Sequence, residues 1–229
     1  MNSTLDAPKP RAGQPPQPQV GSLESAGRNW LDLLQSKLAR WIGIGVLVLV
    51  LAAWFVVMSG RRKEAFAARA LDQARNAAES GNLPLAASEL QKVISTYSGT
   101  DAAQEAVIAL NQVRLINGQH ELAAVSLEEF LKSGPKPAYR SAAYGLLGRA
   151  YENASRPADA ARAFENASRS ADTDYLRADF LIDAGRAWTN AGDTARAIEA
   201  YRRIIKDYPK SSSKVEAEVR LAELNRGKL

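Results

Sequence analysis

The feature that most restricts this chain is a period. Gly148 is followed 37 residues later by Gly185, and the residues around each fall into matching columns. With residue 141 taken as position 1, Tyr144, Leu147, Gly148, Tyr151, Ala160, Phe164 and Ala167 stand at positions 4, 7, 8, 11, 20, 24 and 27. One step forward puts Gly185, Trp188, Gly192, Ala197, Tyr201 and Pro209 at positions 8, 11, 15, 20, 24 and 32. One step back puts Leu110, Gly118, Ala123, Leu127, Phe130 and Pro135 at positions 7, 15, 20, 24, 27 and 32. A further step back puts Gly81, Ala86, Leu90 and Val93 at positions 15, 20, 24 and 27. A period of this length marks a supersecondary unit that cannot bury its apolar face alone and must stack on copies of itself.

The columns resemble the tetratricopeptide repeat, with each unit a few residues longer than the usual length of about 34. The resemblance implies an all-α solenoid of four 37-residue units, each a pair of helices. Small residues at positions 8 and 20 allow the two helices to approach, and large residues at 4, 11, 24 and 27 are expected to fill the space between neighbouring units. Position 15 ends the first helix, where Gly81, Gly118 and Gly192 supply a left-handed residue; Ser155 there should turn less cheaply. Pro135 and Pro209 close second helices because proline cannot continue them. Residues 214–225, with Val215, Val219, Leu221 and Leu224 set against charged neighbours, read as the polar-faced cap that a solenoid needs.

Residues 41–58 carry no charged or strongly polar side chain. As a helix they would be about 27 Å long, close to the roughly 30 Å of a bilayer's hydrocarbon core. Eleven of them are Leu, Ile, Val or Phe, which favours insertion by about 3–7 kcal/mol. The expected division is a Pro/Gln-rich disordered tail at 1–29, an amphipathic juxtamembrane helix at 30–40, a transmembrane helix at 41–60 and the repeat domain at 61–229. With 40 residues ahead of the apolar run and no small-residue cleavage site after it, the run reads as an uncleaved anchor. Three basic residues near its amino side (Arg28, Lys37, Arg40) against five near its carboxyl side (Arg61, Arg62, Lys63, Arg69, Arg75) lean towards a cytoplasmic carboxyl domain. Long domains, however, translocate largely regardless of charge.

The net charge of +5 belongs to the segments flanking that run, because residues 64–229 hold 22 charges of each sign. No nucleic-acid partner follows from such a balance. The chain has no cysteine and one histidine, so thiolate zinc sites, iron–sulfur clusters and histidine metal centres are excluded. His120 follows the turn glycine Gly118 and reads as a solvated turn residue, while Glu128 and Glu129 are adjacent in a helix and diverge. No catalytic constellation, phosphate loop or cofactor motif is present, and the expectation is a non-enzyme without cofactor.

Solenoids of this kind bind on a concave face lined by the first helices. Position 9 falls on that face and is filled by Arg75, Gln112, Arg149 and Arg186, with Asn153 and Asn190 at position 13 of the last two units. Such a ladder of guanidinium and amide groups can hold peptide backbone or carboxylates. The other reading is a solvated face balanced by Glu79, Glu105, Glu152 and Asp179.

The whole arrangement resembles the ancillary SecYEG translocon subunit family: a Trp-bearing segment (WLDLLQSKLARWIG, 30–43), one span, then a tetratricopeptide domain. The long Pro/Gln tail departs from that family. The resemblance implies a bacterial inner-membrane protein with a cytoplasmic amino terminus and a periplasmic repeat domain. Its implied partners are translocon subunits, chaperones or unfolded exported polypeptides. The alternative is a structural scaffold of a cell-envelope assembly or cell-division complex.

Overall fold

The computed structural model describes residues 37–226, and side chains from 41 to 225. The expected tail and most of the expected juxtamembrane helix lie outside the described residues. Those that are described form helices joined by short turns: α1 (Lys37–Glu79), α2 (Leu83–Thr96), α3 (Asp101–Ile116), α4 (His120–Lys132), α5 (Pro137–Asn153), α6 (Pro157–Ser170), α7 (Asp174–Asn190), α8 (Thr194–Asp207) and α9 (Ser213–Arg226). The chain divides after Met58 into two compact units. In the first, the apolar stretch of α1 from Trp41 has a mean hydropathy of 2.6, is exposed along its length, and is long and apolar enough to cross a membrane.

From Ser59 onward the helices pair as the period requires. The four residues at position 15 all have positive φ: Gly81 at 80°, Gly118 at 74°, Ser155 at 58° and Gly192 at 78°. At each turn the N–H of the next residue reaches back to the carbonyl at position 11: Asn82 to Ala77 at 2.9 Å, Gln119 to Arg114 at 2.8 Å, Arg156 to Tyr151 at 2.8 Å and Asp193 to Trp188 at 3.0 Å. This is the Schellman closure of a helix end, repeated four times, and Ser155 takes it in a conformation that disfavours a side chain. Asn82 and Asp193 then cap α2 and α8 with their side-chain oxygens.

Position 8 allows the close approach expected of it, but position 24 works differently from the expectation. A Cβ at Gly148 would lie 2.5 Å from the ring of Phe164, and one at Gly185 would lie 2.5 Å from the ring of Tyr201. Both rings are at position 24 of the same unit, so that column fills the inside of a unit and not the space between units. The first two units put Ala74 and Asn111 at position 8 and Leu90 and Leu127 at position 24. Where position 8 has a side chain, the partner is smaller.

Asn111 is fully buried. Its amide nitrogen donates to the Val107 carbonyl (2.8 Å) and to Ser126 Oγ (3.2 Å), so its polar group is satisfied across α3 and α4. A polar seam thus stands where other units have an apolar contact. The buried apolar residues accordingly form two clusters, one from Ala67 to Val113 on α1, α2 and α3, the other from Ala123 to Ala217 on α4 to α9. His120, expected as a solvated turn residue, is instead the half-buried first residue of α4.

Candidate functional site

Position 9 lies one residue past the close-packed position 8, which turns its side chain to the open side of each first helix. Gln112, Arg149 and Arg186 are exposed there and Arg75 is half-buried. Two adjoining cavities share Gln112 and Ile116. One, of about 270 Å³, is lined by Arg75, Glu79 and Leu83; the other, of about 450 Å³, by Leu115, Leu146, Arg149 and Asn153. Arg186 and Asn190 line a third, of about 300 Å³, with Arg220 and Glu223 of α9. The structure therefore brings Arg75, Gln112, Arg149 and Asn153 together and sets Arg186 and Asn190 against the capping helix.

The charges on this face are not equivalent. Arg75 bonds Glu105 at 2.5 Å. Arg186 is shared between Asp183 (2.8 Å) and Glu152 (3.5 Å). Burial raises the Glu152 carboxyl above its usual range, a shift that Arg186 and Arg149 oppose. Burial raises Asp183 likewise, and Asp179 adds to the shift. Desolvation lowers the Arg186 guanidinium, but Asp183 and Glu152 outweigh it and hold the group above its usual value. Arg186 is thus the counter-ion of two half-buried carboxylates. Arg149 takes part in no ion pair among the described residues, which leaves its donors open to a partner. Among the four anticipated counter-ions, Glu105 and Glu152 are paired with position 9; Asp183 was not anticipated.

Sequence reasoning also missed Ile116. It is 70% exposed and lines both adjoining cavities. The signal was present in the repeat, because Ile116 occupies position 13, the column of Asn153 and Asn190. An exposed isoleucine beside an unpaired arginine offers an apolar contact and a carboxylate or carbonyl anchor within one groove. Among the described residues no group of three acidic or histidine side chains converges to hold a metal.

Residues 146–212 match the family model described as tetratricopeptide repeat. A comparison with curated proteins finds no match. Among solved structures, the chain resembles the MamA protein at 22% identity over 71% of this chain and 82% of that one, with a TM-score of 0.57. It resembles MamA from Desulfovibrio magneticus RS-1 at 20% identity over 64% and 78%, with a TM-score of 0.51. It also resembles kinesin light chain TPR-like repeats from Podosopora anserina at 18% identity over 70% and 85%, with a TM-score of 0.56. At these identities the likeness bears on the fold. Period, turn geometry and the matched segment together show that the chain carries tetratricopeptide repeats, whose stacked units form a protein–protein interaction module.

Proposed function

We propose that the chain is a single-pass membrane protein whose solenoid captures other polypeptides on the face of its first helices, without catalysis. The observation that carries this reading is the open Arg149 standing beside exposed Ile116 in a continuous groove. A stretch of polypeptide with an apolar side chain and a nearby carboxylate or backbone carbonyl satisfies both groups. In the finer reading the protein is an ancillary translocon subunit, anchored by 41–58 in the inner membrane, that links the secretion channel to chaperones and newly exported chains outside the cytoplasm. The apolar run, the Trp-bearing segment before it and the repeat domain after it support that reading.

The test is crosslinking of the full chain in intact membranes, followed by identification of the crosslinked proteins. Translocon subunits, chaperones or exported chains are expected. Outer-membrane or cell-division components would replace this reading with that of a structural scaffold. A carboxyl-terminal alkaline phosphatase fusion is expected to be active; an inactive fusion at normal expression would reverse the orientation.

A further inference from the structure

Columns that units three and four fill alike are filled differently in unit two, and the differences meet at one place. At position 11, Tyr151 Oη donates to Glu128 at 2.5 Å and Trp188 Nε1 donates to Glu165 at 2.8 Å; both acceptors are at position 25 of the preceding unit. A guanidinium covers each ring, Arg156 at 4.3 Å over Tyr151 and Arg196 at 4.5 Å over Trp188. An aromatic side chain therefore closes each of these steps, its donor bonded and its face against a cation. Burial first, then the bond to Glu128, pushes the Tyr151 hydroxyl up to about 12, so it remains a donor.

In unit two position 11 is Arg114, its counterpart at position 25 of unit one is Gln91, and position 4, Tyr144 in unit three, is Val107. The aromatic volume is missing, and a slot of about 500 Å³ lies there, with Gln91, Val107, Leu110 and Arg114 among its walls. Arg114 bonds the Asn111 amide oxygen at 3.2 Å and joins no ion pair among the described residues. The rim departs in the same sense. Positions 19 and 22 hold Asp159 and Arg162 in unit three and Arg196 and Glu199 in unit four, but Leu122 and Val125 in unit two, 50% and 52% exposed.

We propose that this slot, between the second helices α2 and α4, is a docking site for a tyrosine or tryptophan of another protein, presented with aliphatic neighbours that cover Leu122 and Val125. The complementarity is that of the two closed steps. The ring faces the Arg114 cation, and its O–H or N–H donates to the Gln91 amide oxygen. Glu129 also lines the slot and balances Arg114, so the selection rests on shape and on Gln91, which an aliphatic side chain leaves without a donor. The site is separate from the first-helix groove and does not depend on that groove's occupant.

The test uses the full chain in phospholipid nanodiscs, with isoleucine, leucine and valine methyls labelled for NMR. The probe is the tripeptide amide N-acetyl-Leu-Trp-Leu, compared with N-acetyl-Leu-Ala-Leu. The tryptophan probe is expected to shift the Val107 and Leu110 methyls saturably, and the alanine probe to bind about tenfold more weakly or less. Arg114→Tyr, which fills the slot from within, is expected to weaken the tryptophan probe by a similar factor. The pair Leu122→Asp and Val125→Arg copies the surface residues of unit three, so it is expected to keep the thermal midpoint and lose the probe, whatever Arg114→Tyr does to folding. Arg149→Ala is expected to change nothing here. Equal shifts from both probes, shifts centred on Ile116, or binding that survives the rim pair would overturn the proposal. So would a benzoylphenylalanine at position 125 that crosslinks in membranes only to a second copy of this chain.

Discussion

Gly148 and Gly145 lie one turn apart in α5, so replacing either by alanine brings the same gain in helix propensity, about 1 kcal/mol. Their surroundings differ. An alanine Cβ at 148 meets three ring carbons of Phe164 at 2.5, 2.6 and 2.7 Å, and that ring is fully buried. At 145 it meets the edge of Phe180 at 2.6 and 3.0 Å, and Phe180 is only half-buried at the margin of the core, so its ring has solvent on one side toward which to give. Overpacking of the first kind costs about 1–3 kcal/mol. Gly148→Ala should therefore be less stable than Gly145→Ala by about that amount, with propensity cancelled between them. Phe164→Leu alone leaves a void and also costs about 1–3 kcal/mol. Combined with Gly148→Ala it reproduces the Ala74 and Leu90 of unit one, both fully buried, so the pair should lose less than the sum of the singles by about 1–3 kcal/mol. Urea unfolding of residues 59–229, compared by midpoints at constant slope, measures all four variants. Equal losses at the two glycines, or a double variant no better than the sum, would refute the pairing of positions 8 and 24.

Ser155→Gly removes the φ of 58° from a residue with a Cβ and should stabilise the domain by about 0.5–1 kcal/mol, read as a higher thermal midpoint. Ala160→Leu forces volume into a fully buried site and should cost about 1–3 kcal/mol in denaturant melts, whereas the same change at exposed Ala142 should stay within about 0.5 kcal/mol. Desolvation pushes the Asp159 carboxyl up, but Arg156, bonded at 2.8 Å, and Arg162 outweigh it and hold the group below its ordinary value. Its stabilisation is thus present above that value and lost as the pH falls through the lower native one. Asp159→Asn should cost about 0.2–1 kcal/mol at neutral pH, and the difference from the parent should vanish in acid unfolding experiments.

The period made the helices legible because each column has its own steric duty: a left-handed turn at 15, close approach at 8 and 20, a stop at 32. What single columns do not state is which partner each residue meets. Their size alone predicts that Phe164 and Tyr201 fill the space between units, yet they lie over Gly148 and Gly185 of their own units. The counter-ions of Arg186 were half legible: Glu152 is one unit away in the repeat, but Asp183 is a neighbour at i, i+3 on the same helix. Ile116 was visible in the column of Asn153 and Asn190, and its role emerged only when the cavities on both sides of it were seen. The slot of unit two needs three helices at once, so Val107 and Arg114 reveal it only after α2, α3 and α4 are placed.

Capture on the first-helix face is tested most directly by a photocrosslinker at exposed Asn153 in the full chain, in intact membranes. Crosslinks to other polypeptides are expected, and Ile116→Asp with Arg149→Ala should reduce them by about tenfold. The thermal midpoint should remain, because Ile116 is exposed and Arg149 supports no ion pair among the described residues. Arg162→Ala with Arg202→Ala, on second helices, should leave the crosslinks in place. Crosslinks that persist through the Ile116 and Arg149 changes, or vanish with the Arg162 and Arg202 pair alone, would contradict capture on this face.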